Sequence, residues 1–554
     1  KDIRIEEVEL RKPKEDEVCI KIKYCGVCGT DIHIYEGDSG AFAVNPPLIP
    51  GHEFAGVVEA VGDAVEHLKV GDKVSGDPNI MCGRCYFCRN GMEHFCENVT
   101  GVGTTADGGF AQYTVMKASH AYKLPENIDL MTAAMAEPMS CCIHGIDLCE
   151  IKQGSTVLVI GAGGREHAIC AALGKSPKVT EIYCAPGNAG IARIAHCVAI
   201  GDTEVDELLR FAQTHSVDLT VVGPEAALAA GIADLFTQHG LRIFGASKHA
   251  TRIESSKEFA KNLMMKYDIP TADYAVFADY TEAMAYVERH GTPIVIKYDG
   301  LAAGKGVVVA MTHAEAEAAL HDMLMVHKFG SDRVIIEEFM QGQEFSFMCF
   351  VNGSDVYPMA LAQDHKRAFE GDLGPNTGGM GAYSPLPFIT AEDRDFALNR
   401  IMKPTANALV AEGCSFCGVL YGGLMKTDKG IKVIEFNARF GDPETEVVLP
   451  RLTSDIFDVF NDVLDHRTPC IEWDSRAAIG FVLASKGYPE SYRKGFEIKH
   501  LDTLKGVEVF HMGTKYDGDR LLTNGGRVLL VTGLAATLAE ARENVLAEIT
   551  KIDS

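Results

Sequence analysis

The sequence predicts a multidomain chain: a compact strand-rich β-barrel over residues 1–155, followed by an α/β region built on an open parallel sheet. Three observations predict it. A chain of 554 residues is too long for one hydrophobic core and corresponds to about three to five domains. Before residue 156, short β-type runs (EVCIKIKYCGV, FAGVVEAVG, DKVSGD, AQYTVMK) are broken by Gly, Pro or Asp. From STVLVIGAGG onward, strands such as EIYCAPG, VDLTVVGPE and LRIFGAS alternate with helical stretches such as REHAICAALGKS and VDELLRFAQTHS.

Further on, Ser255 and Glu258 stand at capping-box spacing. They predict a helix carrying Phe259, Leu263 and Tyr267 on one face and closed by Pro270.

A formal net charge of −25 argues against broad nucleic-acid or membrane-surface binding, which needs a basic face. Small phosphorylated ligands need only local donors. No apolar run reaches the length of a membrane span. The chain opens KDIRIEEVEL, without Met or a signal stretch, so a clipped first strand is expected. Ten of the 17 cysteines precede Thr156. Four of them lie within fifteen residues, which predicts a metal site in a reducing, cytoplasmic compartment rather than a disulfide framework.

Those four are Cys82, Cys85, Cys88 and Cys96, separated by two, two and seven residues. Tetrahedral zinc wants four soft ligands, and short Cys spacings on a loop supply them. A second, dispersed set is Cys28 in GVCGTD, His52 and Glu53 in PGHE, and Glu137 in AEPM. Thiolate, imidazole and carboxylate with an open position suit a catalytic zinc. Together with GVCGTDIHIYEG, IPGHEFAGVVEAVG, GDKV and GGFAQY, this stretch resembles the GroES-like catalytic domain of zinc-dependent medium-chain alcohol dehydrogenases. The resemblance covers residues 1–163. It implies catalytic zinc on Cys28, His52 and Glu53, with Glu137, and structural zinc on Cys82, Cys85, Cys88 and Cys96. That family continues into a nicotinamide domain opening with G-x-G-x-x-G. Here the third glycine is replaced by Glu166, which counts against NAD.

The turn at Gly161–Gly164 precedes a helix and presents backbone N–H groups to an anion; close strand–helix packing is the plain alternative. Further turns carry Gly187, Asn188 and Gly190, then Pro224 and Glu225, at the strand ends that line one crevice. VIKYDGLAAGKGVVVA places Lys297 on a strand and Lys305 in a Gly-rich loop. It reads as a flap over a triphosphate or as a simple hairpin. It is not a G-x4-G-K-[ST] loop, because Gly306 follows Lys305. VIIEEFMQGQEFS sets Glu337, Glu338 and Glu344 around a β segment, either to hold a ribose or as a solvated acidic edge. VIEFNARFGDPETE packs Glu435, Asn437, Arg439, Asp442 and Glu444 together. Glu435 and Asn437 share one face of a strand, which suits Mg²⁺. Arg439 can neutralise a transferring phosphoryl group.

This order of parts, with VLVIGAGGREHAI, APGNAG, VVGPEAALAAGI and the run AQDHKRAFEGDLGPNTGGMGAYSP, resembles the phosphoribosylamine–glycine ligase family of ATP-grasp enzymes. The resemblance covers residues 156–554. It implies an α/β Rossmann-like pre-ATP-grasp domain (156–256), an α+β ATP-grasp domain (257–475) and a small C-terminal α/β domain (476–554). It implies a further strand beyond Ser554. The small-molecule partners would be ATP, glycine and 5-phosphoribosylamine, with Mg²⁺ or Mn²⁺. Lys257, Lys297 and Lys305 would meet the ATP phosphates. Glu337, Glu338 and Glu344 would hold the nucleoside, with Glu344 on the ribose. Glu435 and Asn437 would hold the metal. Arg439, Asp364 and Lys366 would act near glycine and its acyl phosphate, and Asp442 on the glycine ammonium. Gly164, Arg165, Glu166, His167, Gly187, Asn188, Gly190, Pro224 and Glu225 would hold phosphoribosylamine.

Both families share a string like TVLVIGAGG, and the two halves join there without a linker. A recombined or misassembled joint with a near-complete ligase is the leading expectation. The rivals are a natural fusion whose zinc barrel is an appendage, and a zinc oxidoreductase acting on an alcohol, polyol or threonine.

Overall fold

The computed structural model describes residues 2–37, 44–148, 154–300, 306–327, 333–371 and 373–553. The chain divides into two compact units, Lys1–Lys152 and Gln153–Ser554.

The first unit is built on five antiparallel strands in the order Tyr113–Lys117, Glu17–Gly26, Glu53–Val61, Lys73–Gly76, Ala121–Lys123. Alternating apolar residues, including Val18, Ile20, Phe54, Val58, Val74 and Met116, form its core. The loop carrying the four clustered cysteines is closed at its base by a separate two-stranded pair, Asn79–Ile80 with Thr100–Gly101.

The second unit opens with a parallel sheet in the order His196–Cys197, Val179–Pro186, Ser155–Gly161, Leu219–Val222, Ile243–Phe244. Successive connections leave the central strand Ser155–Gly161 in opposite directions. Its C-terminal end is therefore a switch point, where a crevice opens. The central strand is buried on both faces, which is why VLVI reads as an unbroken apolar run.

Two four-stranded antiparallel sheets follow. One runs Tyr274–Phe277, Val334–Glu338, Ile294–Tyr298, Val307–Ala310; the other runs Asp355–Pro358, Gln343–Asn352, Cys417–Thr427, Gly430–Asn437. Gln343–Asn352 carries core on both faces. Phe345 and Phe347 pack towards Leu263 and Met402, while Met348 and Phe350 pack towards Val448 and Phe460. A last sheet combines Gln363–Asp364 and Gly381–Ser384 with Ala477–Ala484, Arg527–Ala535 and Val507–His511.

The expected helix is present as Lys257–Lys266, but its cap is Ser256, not Ser255. Ser255 ends a short preceding helix, Arg252–Ser255, and Ser256 is the extended residue whose hydroxyl accepts from Phe259 N. The carboxylate of Asp299 accepts from the backbone N–H groups of Lys257 and Glu258, so the helix start is tied to the strand Ile294–Tyr298.

The parallel-sheet region is joined to the last sheet by a histidine pair. His511 N donates to His167 Nδ1 at 2.8 Å, and Asn188 donates to the His511 carbonyl. Gly190 is required here, because a Cβ would lie 2.3 Å from the His511 ring. Burial, with Arg193 nearby, depresses His167 to about 3 and His511 to about 4, from an ordinary 6.5. The unfolded chain therefore binds protons that the folded chain refuses. Stability is unaffected above about pH 6.5 and falls as pH drops towards 4, by up to about 1.4 kcal/mol per histidine per pH unit. We expect the thermal midpoint to drop between about pH 7 and 5, and to drop less in His511→Gln. Equal drops in the two proteins would show that this pair does not carry the effect.

Candidate functional site

The crevice at the switch point leads into a cavity of about 330 Å³. Its wall comes from three stretches far apart in sequence: Ala162, Gly163, Gly187 and Asn188; Asp442; and Met512–Thr514 with Asn524, Gly525 and Arg527. Gly187 has φ +71°, which lets the chain turn tightly against the first glycine turn. Asn188 locks the two turns together, donating to Ala162 O and accepting from the N–H groups of Gly190 and Ile191. The helix Gly164–Leu173 points its N-terminus at this cavity, a favourable end for an anion. Arg527 donates to Asp442 at 2.8 Å on the same wall.

Of the expected substrate-site residues, Gly187, Asn188 and Asp442 line the cavity. The side chains of Arg165, Glu166 and His167 turn inward. Glu166 accepts from Gly163 N and from Arg165 Nε, both at 2.6 Å, while Arg165 also donates to Phe440 O. None of the three is among the residues that line the cavity. Gly164 is buried against Glu446, and Gly190 against the histidine pair. Glu225, just after Pro224, turns to Arg439 at 3.3 Å.

A second group gathers where the two antiparallel sheets meet. Lys297, 4% exposed, lies 2.9 Å from Glu337 and donates to Ile434 O. Lys261 reaches the same carboxylate oxygen at 3.1 Å. The other oxygen of Glu337, Oε1, is buried without a hydrogen-bond partner among the described residues. Strand alternation sends Glu338 the opposite way, where it pairs with Lys432 at 3.2 Å. Lys305 lies outside the described residues.

Glu435 and Asn437 stand two apart on Gly430–Asn437. Burial would raise the Glu435 carboxyl, but Lys257, Lys366, Lys297 and Arg439 outweigh it and hold it at about 2. Lys257 is 3.9 Å away. Lys366 pairs with Glu344 at 3.5 Å. Asp364 is pushed up to about 7 by burial, with Lys366 opposing and Glu444 and Glu344 adding to the rise. Arg439 is fixed by Glu225, Glu254 and the Phe440 carbonyl. Burial disfavours its charge, but Glu254, Glu225 and Asp442 more than compensate. The arrangement is a cluster of cations with an ionised carboxylate at its centre, suited to a nucleoside triphosphate and a divalent cation.

In the first unit, Cys82, Cys85, Cys88 and Cys96 converge, with Sγ–Sγ separations of 3.4 Å for Cys85–Cys88 and 4.0 Å for Cys82–Cys88. Tetrahedral zinc at about 2.3 Å from each sulfur separates the sulfurs by about 3.8 Å, so the four fit that ion. Cys28, His52 and Glu53 also converge, their ligand atoms lying within 4.8 Å of one another. His52 Nδ1 is buried 3.7 Å from Asp31 and has no hydrogen-bond partner among the described residues. Glu137 lies outside this trio and takes a contact from Cys141 at 3.7 Å. Its carboxyl is raised by burial, with His52 opposing.

Sequence reasoning missed Lys261, Met512, Thr514, Asn524 and Arg527. Arg527 follows the turn Asn524–Gly526, a visible signal for a loop but not for a ligand. Lys261 lies on an ordinary amphipathic helix, and only packing reveals its partner.

A parallel sheet with a phosphate-ready turn, followed by two antiparallel sheets that enclose lysines and carboxylates, defines an ATP-grasp ligase, here preceded by a GroES-like unit. The family models agree. Residues 155–254, 255–445 and 478–554 match the N, ATP-grasp (A) and C domains of phosphoribosylglycinamide synthetase, and residues 14–126 match the alcohol dehydrogenase GroES-like domain. The phosphoribosylamine–glycine ligase of Halalkalibacterium halodurans is 56% identical over 401 residues, covering 72% of this chain and 94% of that protein. That of Listeria monocytogenes is 50% identical over 405 residues, covering 72% and 96%. The crystal structure of the Thermotoga maritima phosphoribosylamine–glycine ligase superposes with a TM-score of 0.64 at 31% identity, covering 72% of this chain and 97% of that one. A biotin carboxylase domain from Hydrogenobacter thermophilus shares the fold at 15% identity, with a TM-score of 0.57 over 73% of this chain and 91% of its own. The chain belongs to the phosphoribosylamine–glycine ligase family.

We expect the zinc-loaded chain to hold two zinc ions and Cys85→Ser to hold one, by metal analysis after removal of loosely bound ions. A variant that retains both would refute the four-cysteine site.

Proposed function

We propose that this chain joins glycine to 5-phosphoribosylamine at the expense of ATP, giving glycinamide ribonucleotide, ADP and phosphate. Family membership over nearly the full length of the relatives carries the reading. The charge cluster around Glu435 supports it.

The glycine carboxylate oxygen attacks the γ-phosphorus, and the bond to the β–γ bridging oxygen breaks, leaving glycyl phosphate and ADP. The amine of phosphoribosylamine then attacks the acyl carbon. Phosphate leaves, and the nitrogen loses one proton. Lys257 and Lys297 hold the ATP phosphates, and Arg439, fixed by two carboxylates, neutralises charge on the transferring group. Glu337 Oε1 accepts from the adenine amine, Glu344 takes the ribose, and Glu338 contributes backbone. Glu435 and Asn437 would hold Mg²⁺ or Mn²⁺; the ionised carboxylate and the amide oxygen on one strand face fit it. The bound ion would screen the phosphate charge. Asp364 and Lys366 sit beside the glycine, and Asp442 takes its ammonium. The cavity under the helix Gly164–Leu173 takes the sugar phosphate on backbone N–H groups, with Arg527 beside it. ATP and a soluble phosphorylated amine support a cytoplasmic location. Among the described residues no helix is long and apolar enough to cross a membrane.

We read the zinc-binding unit as an appendage. Its sheet and Cys28, His52 and Glu53 support the alternative of a zinc oxidoreductase. Glu166 counts against that alternative, because its carboxylate occupies the turn that a dinucleotide would approach, 2.6 Å from Gly163 N.

Phosphate release dependent on ATP, glycine and phosphoribosylamine together tests the ligase. Lys297→Ala and Glu435→Ala are each expected to lower kcat/KM by about a hundredfold or more. An unchanged rate in either would refute its role. NAD reduction with threonine or a polyol would favour the oxidoreductase.

A further inference from the structure

Glu337 receives two ammonium groups on one oxygen. Lys297 comes from the strand Ile294–Tyr298 at 2.9 Å, and Lys261 from the helix Lys257–Lys266 at 3.1 Å. All three side chains are buried: Lys261 is 2% exposed, Glu337 3% and Lys297 4%. Lys261 also donates to Thr271 Oγ1 at 2.8 Å, and that hydroxyl donates to Val433 O at 2.9 Å. Lys297 donates to the next carbonyl, Ile434 O, at 3.0 Å. Both lysines are thus braced against the strand that carries Glu435.

The charges do not cancel. Two ammonium groups share one carboxylate, which leaves the buried triad with one net positive charge. A lone Lys297–Glu337 pair would be neutral and would offer a phosphate far less. Burying an extra cation is costly unless something uses it. Glu435 also acts on Lys297, but Lys257, Lys366 and Arg439 share it, so a second anion, brought by a ligand at Lys297, completes the balance.

We propose that Lys261 is a positioning residue for ATP: by sharing Glu337 Oε2 it holds that carboxylate in place and leaves the Lys297 ammonium with charge to give the nucleotide phosphates. This rests on the ATP-binding role proposed above. Lys261 does not face the cleft, and it acts through Glu337. The charged and titratable groups around it are Glu337, Lys297, Lys432 from the neighbouring strand, and Tyr274, whose ring lies 5.6 Å from its ammonium. Burial, with Lys297 and Lys432, lowers it to about 8, while Glu337 opposes. Its charge is therefore present at neutral pH and lost in mildly alkaline solution. ATP affinity falls with it.

The test uses the full chain. Lys261→Met should raise KM for ATP about tenfold or more, with kcat changed less than about threefold. Lys261→Arg keeps the charge and stays near wild type. The split between a raised KM and a nearly unchanged kcat, with rescue by Lys261→Arg, is what a merely structural role would not give. A folded Lys261→Met with KM for ATP within about twofold of wild type overturns the proposal, as does a folded Lys261→Arg as impaired as Lys261→Met. If Lys261→Met does not fold, the wild-type pH profile decides. KM for ATP rising about fivefold or more between about pH 7 and 9 supports the proposal, and a flat profile overturns it. Fluorescence titration with methylanthraniloyl-ATP reads the same affinities without turnover. A chain inactive towards glycine and phosphoribosylamine that still binds this probe would refute the ligase reading, and the same variants would then decide the role of Lys261 by affinity alone.

Discussion

The ligase unit is organised around one buried carboxylate. Glu337 is out of water, and an unpaired carboxylate there would cost several kcal/mol. It is held by ammonium groups from a helix and from a neighbouring strand, and those same groups tie to the carbonyl of Ile434 and, through Thr271, to that of Val433. Helix Lys257–Lys266, strand Ile294–Tyr298 and strand Gly430–Asn437 are thereby set relative to one another. Glu435 and Asn437 follow directly on the braced carbonyls, so their position inherits that of the triad.

The same logic extends outward. Arg439 is gripped by Glu225 and Glu254, and Glu254 also accepts from Ala438 N. Its guanidinium is therefore held in place by the protein itself. Dipoles and charges fixed in advance in a site poor in water need little reorganisation during reaction. Lys366 and Asp364 form a softer part of this field, since burial and like charges bring Asp364 near neutrality in its titration.

The cavity under the helix Gly164–Leu173 is closed by stretches distant in sequence. Gly163 and Asn188 come from the parallel sheet, Asp442 from the segment after the strand Gly430–Asn437, and Arg527 from the last sheet. That sheet itself takes strands from both sides of residue 475. The histidine pair and Asn188 hold the two walls together. At the seam, the shared strand Ser155–Gly161 serves the ligase, because Glu166 caps the turn where a third glycine would admit a dinucleotide.

Much of this was legible in the chain itself. Apolar runs and Gly turns predicted the parallel sheet, because a strand buried on both faces must be apolar throughout. Cysteine spacing marked the four-sulfur cluster, because ligands close in sequence converge without help from the fold. The spacing of Glu435 and Asn437 placed both on one strand face through the period of a strand. What lay outside local spacing was decided by packing. Ser256 rather than Ser255 became the cap because a short helix ended first. Arg165, Glu166 and His167 turned from ligand candidates into internal ties because the helix face that carries them is buried. Lys261 and Arg527 gained partners distant in sequence. The sequence by itself determined which elements form and which charges they carry; only the tertiary structure decided which charges meet, because burial and pairing depend on neighbours that no local pattern specifies.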